Sequence, residues 1–458
     1  MARATNVVRL LPPPPAPVSI SAARALWDRA EIRACLDAVR AQESPDAAIL
    51  ASRCLLRLGR PDEALARLDA ASTLVAHCSD ALRGEHAIVA ANMHFLSGNA
   101  DLSDSALCEA RAYIFSARDS MLEAELNVVE SMITWGRGEL RRARAIAEHA
   151  LAVAPTAKWR ARCLEMLGVI AGTEGKYKNQ ITLYERALTL LDESEAGEPW
   201  LRGALLQVLA ELCSDLYHHD IVSRLSRREA SLAWTSDTEY MHFTTLRHIA
   251  RCHALSGDHL RAFRLLRQAA DIAPSLPWRV LIFAERSSLA REMNERLFAS
   301  EELEQARSIA ATYNWSQTRG EERFALLRLA EVTAPIDAAG AQDILEIYRK
   351  KLPPIAPHTL DANDGRLGAS EAYSFGITAL YLGDTTRAIE RLTHAFSVWR
   401  GIDYVWRAMD VAIHLTRLTG ASVFFEYARR HAPTFPGTWL ASEVARLQAV
   451  PGNAQSSA

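Results

Sequence analysis

The sequence lacks any apolar stretch long enough to cross a membrane. A spanning helix needs about 20 consecutive apolar residues, and no run in this 458-residue chain approaches that length. Near the start, Leu10 and Leu11 are cut off by the prolines at 12–15, which argues against a secretory signal. These absences lead us to expect a cytoplasmic protein.

Cysteines are few, and their spacing suggests no pairing. Seven occur, an odd number, and none forms a Cys-x-x-Cys motif, which fits a reducing compartment better than a disulfide framework. An excess of charge is also missing, because 52 basic and 55 acidic side chains leave a formal charge of -3. The chain therefore has no net attraction for nucleic acid or an anionic membrane, and we expect neither as a partner.

Motifs of the common enzyme classes are absent as well. There is no His-Glu-x-x-His, no Gly-x-Ser-x-Gly and no dinucleotide-binding glycine fingerprint. We therefore expect no catalytic residues, no cofactor and no metal. One alternative is a metal-binding protein that uses a histidine-rich middle, formed by His218, His219, His242, His248, His253 and His259. His248 and His253 are five residues apart, which places them on diverging faces of a helix.

What the sequence does contain is a repeat marked by glycine. Seven turn glycines can be aligned, namely Gly59, Gly98, Gly138, Gly175, Gly257, Gly383 and Gly420. Twelve residues after each stands an alanine: Ala71, Ala110, Ala150, Ala187, Ala269, Ala395 and Ala432. Sixteen residues before six of them stands a large apolar residue: Leu82, Leu122, Trp159, Met241, Leu367 and Tyr404. Two weaker copies lack the glycine and turn at His218 and Asn294.

This spacing predicts pairs of antiparallel helices. A turn glycine ends the first helix in the left-handed conformation, which other residues adopt only at a cost. The alanines allow the second helix to approach the first closely. Copies follow one another at about 37 to 44 residues. A further degenerate copy is expected to turn near Ala334 and Pro335 and to end at Lys351.

With these offsets the chain resembles the tetratricopeptide repeat (TPR) family from about residue 45 to 432. Pro155 and Pro274, each seventeen residues after its turn glycine, add to the resemblance. It implies an all-α fold, a right-handed superhelical solenoid of antiparallel helix pairs. The copies exceed the family's usual ~34 residues, so helices or loops are expected to be longer here.

Long repeats of this kind also resemble the sensor arms of large LuxR-type transcription regulators. That resemblance implies an arm that senses a ligand or partner, and it requires a DNA-binding helix-turn-helix beyond the repeats. No such module is found after Leu440. This interpretation therefore needs the module to be lost, truncated or supplied by another protein.

The predicted organisation has six segments. They are a disordered proline-rich tail at 1–18, N-terminal capping helices at 19–44, TPR-like repeats at 45–351, a loop or hinge at 352–368, C-terminal TPR-like repeats at 369–440 and a C-terminal tail at 441–458. Pro353, Pro354 and Pro357 mark the loop or hinge, because they interrupt helix in an otherwise helical chain.

Repeats of this type usually bind partners on the face lined by the first helix of each pair. Positions 13, 10, 6 and 3 residues before each turn, Glu85 among them, are expected on that face. The predicted partner-binding groove consists of Arg53, Asn92, Glu125, Arg162, Glu165, Arg247, Arg251, Arg291, Tyr373, Arg407, Asp410 and His414.

Three of these residues, Arg247, Arg251 and Arg291, come from neighbouring copies and are expected to form one patch. Guanidinium groups so placed favour a carboxylate. The main prediction is therefore a non-catalytic scaffold that binds a protein or peptide, one with an acidic or carboxylate-bearing segment. A homo-oligomer is compatible with this function.

Overall fold

All regular structure in the described part of the chain is helical. The computed structural model describes residues 18–194, 198–216, 219–318, 320–352 and 366–449. Within these ranges there are 23 α-helices, a few short 3-10 helices and no strand, which confirms the predicted all-α class. No helix in them combines the length and the apolar character needed to cross a bilayer.

The helices follow one another with short connections. The first ten are α1 (Ile20–Asp28), α2 (Ile32–Val39), α3 (Pro45–Arg57), α4 (Pro61–Val75), α5 (Asp80–Leu96), α6 (Ala100–Ala117), α7 (Ser120–Gly136), α8 (Leu140–Val153), α9 (Ala157–Thr173) and α10 (Tyr177–Asp192). From α3 onwards they form antiparallel pairs, and the odd-numbered helix is the first of each pair.

The later helices continue this alternation. They are α11 (Pro199–Leu216), α12 (Val222–Ser231), α13 (Glu239–Leu255), α14 (His259–Asp271), α15 (Leu276–Glu292), α16 (Arg296–Thr312), α17 (Phe324–Thr333), α18 (Ala338–Lys351), α19 (Arg366–Tyr381), α20 (Thr385–Gly401), α21 (Val405–Thr419), α22 (Ser422–His431) and α23 (Trp439–Gln448). The degenerate copy is confirmed, since α17 and α18 flank Ala334 and Pro335 and α18 ends at Lys351.

The chain divides into two compact units. The first contains Met1–Ile170 and Thr189–Pro199, and the second contains Ala171–Leu188 and Trp200–Ala458. Helices α12 to α23 and nearly all of α11 therefore belong to the second unit.

Turn glycines end the first helix of seven pairs, as predicted. All seven have φ between +67° and +84°, the left-handed region that side chains with a Cβ avoid. At Gly257, the amide of Asp258 donates to the His253 carbonyl at 2.9 Å, and the Asp258 side chain then accepts from the Arg261 amide at 3.2 Å. Glycine thus closes α13, and the following aspartate caps the start of α14.

The alanines twelve residues after the turns lie against the partner helices. Six of the seven are buried, and Ala432 is half-buried because α22 ends one residue before it. The copy at Asn294 also folds as predicted, with φ +64° at the turn. Its Ala299, Leu303 and Ala306 are buried.

A hydrogen bond between the paired helices recurs at a position that the sequence pattern did not reveal. Seven residues before the turn, Ser131 donates to the Ala143 carbonyl at 2.8 Å. Ser52 donates to Ala64 in the same way, and Ser287 donates to Ala299. The copy at Gly98 reverses the roles, because Ser103 of the second helix donates to the Ala91 carbonyl of the first at 3.0 Å. Small polar side chains therefore hold the helices together where they cross.

The segment at 441–458, predicted as a tail, begins within a packed helix. Helix α23 runs from Trp439 to Gln448, and its Leu440, Val444 and Leu447 are buried. The tail prediction is therefore wrong for residues 441–448, because their apolar side chains recur every three to four residues along one face.

Other predictions concern residues outside the described ranges. The proline-rich tail falls there except for residue 18, as do residues 353–365 of the predicted hinge and residues 450–458 at the end of the chain. The predicted turn residue His218 also lies outside.

Candidate functional site

Two adjoining pockets lie on the face of the second unit formed by the first helices of six consecutive pairs. The aromatic pocket has a volume of about 200 Å³, with an apolar wall from Trp278, Leu281, Phe324 and Leu327. The second, here the Arg291 pocket, has a volume of about 240 Å³. Both pockets share a charged wall made of Arg251, Glu285, Arg328, Glu331 and Arg407.

Aromatic packing holds the wall of the aromatic pocket in place. Trp278 of α15 is buried, and its ring lies 5.3 Å from that of Phe243 and 5.9 Å from that of Tyr240, both on α13. Aromatic pairs in tilted arrangements such as these stabilise beyond the area they bury. The apolar wall is therefore part of the core between α13 and α15.

Arg247 and Arg251 of α13 share one carboxylate of α15. Arg247 donates from Nε and Nη2 to Glu285 at 3.0 and 2.8 Å, and Arg251 Nη2 lies 3.5 Å from the same carboxylate. Burial would raise the pKa of Glu285, but the two guanidinium groups outweigh it and lower that pKa. Both arginines therefore already have a carboxylate partner, and the structure places Glu285 beside two of the three arginines of the predicted patch.

A second connection joins helices that are far apart in the chain. Tyr404, at the start of α21, donates from its hydroxyl to Asp215 of α11 at 2.6 Å. Arg251 donates to the same Tyr404 oxygen at 3.3 Å. Burial, with the charge of Asp215, raises the pKa of Tyr404, so the phenol stays protonated and keeps its donor role.

The shared wall continues through a glutamate of α17. Glu331 is paired with Arg328 at 2.8 Å and with Arg407 of α21 at 3.7 Å, and it accepts from Ser374 at 3.0 Å. The Arg407 guanidinium also lies over the Trp406 ring, 4.6 Å from its centroid. Stacking of this kind holds the guanidinium in a fixed orientation.

Three predicted groove residues, Tyr373, Asp410 and His414, form one network beside this wall. The Tyr373 hydroxyl donates to Asp410 at 2.6 Å, and His414 Nε2 lies 3.6 Å from the other oxygen of that carboxylate. Burial lowers the pKa of His414 below its ordinary value, so the imidazole is neutral near pH 7. The fold thus brings these three separately predicted groove residues of α19 and α21 together.

Arg291 and Glu292 at the end of α15 lie in the Arg291 pocket without pairing to each other. The buried Nε of Arg291 has no hydrogen-bond partner among the described residues. The carboxylate of Glu292 has His259 Nε2 at 3.7 Å. The surrounding protein removes water from the carboxyl and raises the pKa of Glu292 to about 7.

Predicted groove residues of the first unit also meet one another. Arg53 of α3 bridges to Glu85 of α5 at 3.2 Å and to Glu125 of α7. Arg162 pairs with Glu165 at 2.8 Å on α9, and Asn92 has a buried Oδ1 without a partner in the described chain. The contact of these residues with a partner molecule stays a prediction.

Four histidines of the middle region, those whose side chains the structure describes, each have a different neighbour. Nε2 of His242 lies 2.9 Å from Glu229, His248 hydrogen-bonds to Ser214 at 3.0 Å, His253 lies 3.7 Å from Asp258, and His259 approaches Glu292 as described above. Within the described ranges no three His, Cys, Asp or Glu side chains are grouped so that they could hold a metal ion.

Sequence reasoning missed the acids that complete the site, above all Glu285 and Asp215. A signal was available in the spacing. Arg247 stands ten residues before its turn at Gly257, and Glu285 stands nine residues before Asn294. Opposite charges at nearly the same offset of adjacent copies are therefore placed to meet when the pairs stack.

The sequence matches no protein-family model and no curated protein. The structure is similar to that of apo RapI, with a TM-score of 0.54 and 11% identity, over 78% of this chain and 98% of that one. A Rap protein complexed with competence and sporulation factor gives a TM-score of 0.40 at 13% identity, over 84% and 99% of the two chains. A tetratricopeptide repeat protein from Parabacteroides merdae gives 0.38 at 13% identity, over 71% and 99%. The likeness to RapI shows a shared fold, and with the helix pairs described above this chain has a TPR-like all-helical fold.

Proposed function

We propose that this chain is a non-catalytic scaffold that binds a protein or peptide segment in the groove formed by the two adjoining pockets of its second unit. The observation that carries the proposal is the continuity of the two pockets. They share five charged residues, and six successive first helices, α11 to α21, contribute to their walls. A groove built in this way is elongated along the repeats, and its shape therefore matches that of an extended polypeptide segment.

The chemistry of the groove suits a peptide. Trp278, Tyr404 and Trp406 offer aromatic surface, while Arg407 and Glu331 offer charged groups of both signs. Aromatic and arginine side chains in concave, partly desolvated sites contribute most of the affinity in protein interfaces. The ionisable side chains of the shared wall are held in ion pairs, which favours recognition over proton transfer.

The predicted groove residues of the first unit are proposed as a further contact surface. Arg53, Glu85 and Glu125 come from three successive first helices and are linked by ion pairs. This cluster therefore follows the same face of the repeats within its own unit.

A cytoplasmic location is part of the proposal. None of the seven cysteines, all within the described ranges, is in a disulfide, and five of them are buried. Thiols in this number persist in a reducing compartment.

A peptide-display experiment tests the proposed groove. Random peptides would be selected on the immobilised chain and their affinities measured against two single variants. Ser370→Trp fills the aromatic pocket, which Ser370 lines, whereas Ser300→Trp makes the same change on the exposed side of α16. We expect the selected peptides to bind the Ser300 variant normally and the Ser370 variant at least tenfold more weakly. Equal binding to both variants would remove the groove from the proposal.

A further inference from the structure

One guanidinium in the Arg291 pocket lacks a counter-charge. Four arginines line this pocket. Arg251 is paired with Asp215 and Glu285, and Arg328 and Arg407 are both paired with Glu331. Arg291 makes no ion pair in the described chain, and its buried Nε has no acceptor. A buried donor without an acceptor costs free energy, so a ligand that supplies an acceptor to Arg291 would be stabilised.

A second donor of the same pocket is also without an acceptor. Trp406 lines the pocket and is 8% exposed, yet its indole Nε1 has no hydrogen-bond partner among the described residues. An indole nitrogen can only donate. Arg291 and Trp406 together therefore call for a ligand that supplies acceptor oxygens.

The charge of the pocket selects among anions. Its four arginines face four carboxyl groups, those of Glu285, Glu292, Glu331 and Asp410. A dianion such as phosphate would meet these acids at close range, and like charges repel strongly where water is scarce. A single carboxylate matches the one unpaired guanidinium, and its two oxygens suit the guanidinium fork.

Glu292 is the acid most affected by such a ligand. It follows Arg291 in the sequence, lines the same pocket and is 30% exposed at its side chain. Arg328, Arg291 and Asp410 all lie within electrostatic range of its carboxyl. A carboxylate bound at Arg291 adds another negative charge beside it, which favours the protonated form of Glu292.

Two titratable side chains near Glu292 keep their protonation state near neutral pH. His414 of α21 stays neutral because burial lowers its pKa, and Tyr373 of α19 stays protonated because burial and Asp410 raise its pKa. The arginines stay charged. His259 of α14 lies 3.7 Å from Glu292, and the other ionisable residues that line the same pocket are Tyr381 of α19, Glu285 of α15, Glu331 of α17 and Asp410 of α21.

We propose that the Arg291 pocket binds one carboxylate through Arg291 and that Glu292 takes up a proton when it does so. The inference rests on the proposed function for the source of the carboxylate, a peptide in the groove, although a free carboxylic acid offers the same chemistry. Below about pH 7 Glu292 is already protonated and binding is constant. Above that pH a proton must be taken up, so affinity falls by up to tenfold for each pH unit.

Butyrate, with neutral butyramide as its control, is the probe of choice. Binding is followed in ¹⁵N–¹H spectra at the Trp406 indole N–H signal, which Trp406→Phe identifies. We expect butyrate to shift that signal and butyramide to leave it in place. The butyrate affinity should fall by up to about tenfold from pH 6 to pH 8. A constant affinity between pH 6 and pH 8 would overturn the proton uptake.

Three variants separate the roles of the residues. Arg291→Gln should abolish butyrate binding, while Arg296→Gln on the exposed side of α16 should leave it unchanged. Glu292→Gln should bind butyrate equally at pH 6 and pH 8, because no proton is then needed. Undiminished binding by the Arg291 variant, or tighter binding of inorganic phosphate than of butyrate, would overturn the carboxylate site. Helical circular dichroism confirms that each variant is folded.

The selected peptides separate this inference from the proposed function. A peptide that binds the groove but whose affinity does not change in Arg291→Gln leaves the groove standing and removes the carboxylate site. Butyrate binding without any peptide binding keeps the carboxylate site, removes the peptide groove and points to a free acid as the ligand. A peptide that loses affinity when its C-terminus is amidated identifies its terminal carboxylate as the bound group.

Discussion

The Tyr404 hydroxyl donates a 2.6 Å hydrogen bond to the carboxylate of Asp215, although the two residues are 189 positions apart. Arg251 contacts both of them, at 3.3 Å from Tyr404 and 3.5 Å from Asp215. The start of α21 is thereby attached to α11 and α13 at the edge of the aromatic pocket. This contact links the last helix pairs of the second unit to its first ones.

Removal of that hydroxyl should loosen the second unit. Tyr404→Phe keeps the ring but leaves Asp215 with one donor fewer, which should cost about 2 kcal/mol in the free energy of unfolding. Hydrogen exchange should become faster in α21 and α11 and stay the same in α18. Tyr427→Phe is a suitable control, because the Tyr427 hydroxyl has no hydrogen-bond partner in the described structure. Identical exchange in the two variants would mean that the contact does not hold the helices together.

The Arg247–Glu285 pair should support stability in a pH-dependent way. Its side chains are 11% and 13% exposed, and Arg247→Gln should lower the free energy of unfolding by about 3 kcal/mol at pH 7. This loss is at the lower end of the range for broken buried ion pairs, because Arg251 still lies 3.5 Å from the Glu285 carboxylate.

The sign of the pH dependence follows from the lowered pKa of Glu285. Its contribution is present above the unfolded value of about 4.3 and is lost as the pH falls through the lower folded value. Urea unfolding from pH 7 to pH 3 should therefore show the natural chain and Arg247→Gln converging at acid pH. Arg60→Gln, which breaks an exposed pair with Glu63, should leave the midpoint unchanged. A constant difference across this pH range would contradict the assignment.

The glycine at the α13–α14 turn should tolerate alanine less well than an equivalent turn glycine. Gly257 and Gly383 have φ of +84° and +82°, so alanine at either position should cost about 1 kcal/mol for the left-handed backbone. A Cβ at Gly257 would in addition lie 3.3 Å from the Gly437 carbonyl oxygen, while one at Gly383 would meet nothing within 4 Å. Thermal unfolding should therefore give a lower midpoint for Gly257→Ala than for Gly383→Ala. Equal midpoints would show that the backbone at Gly437 can move away from the new Cβ without a loss of stability.

The serine between α7 and α8 should contribute to the pairing of these helices. Ser131→Ala removes the buried hydrogen bond to the Ala143 carbonyl and should destabilise the first unit by about 1 kcal/mol. Ser105→Ala on the exposed face of α6 should be neutral or slightly stabilising, because alanine has the higher helix propensity. Denaturant unfolding of the two variants measures the difference. A Ser131 variant as stable as the Ser105 variant would leave the recurring serines without a role.

Most of the helix pairing was predictable because it depends on short spacings. Gly257 ends α13 because its own backbone adopts the left-handed conformation. Ala269 contacts α13 because its helix, α14, forms one hairpin with α13. The recurring serines escaped notice because only three copies carry one at the same offset, and in the copy at Gly98 it lies on the other helix. The packed helix at 439–448 was missed because the prediction depended on a repeated spacing, and this single short helix is not part of a repeat.

The candidate site was predictable only in part. Tyr373, Asp410 and His414 were expected on one face, and the fold brings them into one network. Arg247 and Arg251 were expected to form a patch that favours a carboxylate, yet Glu285 pairs with both of them and Asp215 pairs with Arg251. The unpaired group is Arg291, and no spacing rule distinguishes it from the other two.

By itself the sequence determined an all-α chain of antiparallel helix pairs, because turn glycines and crossing alanines act within about forty residues. Tertiary structure decided which charges meet. The Arg247–Glu285 pair spans 38 positions and the Tyr404–Asp215 contact 189. Contacts of that range depend on how successive pairs stack and rotate, a small angle per pair that adds up along the chain. Local spacing does not specify that angle, so the pocket around Arg291 became visible only in the folded structure.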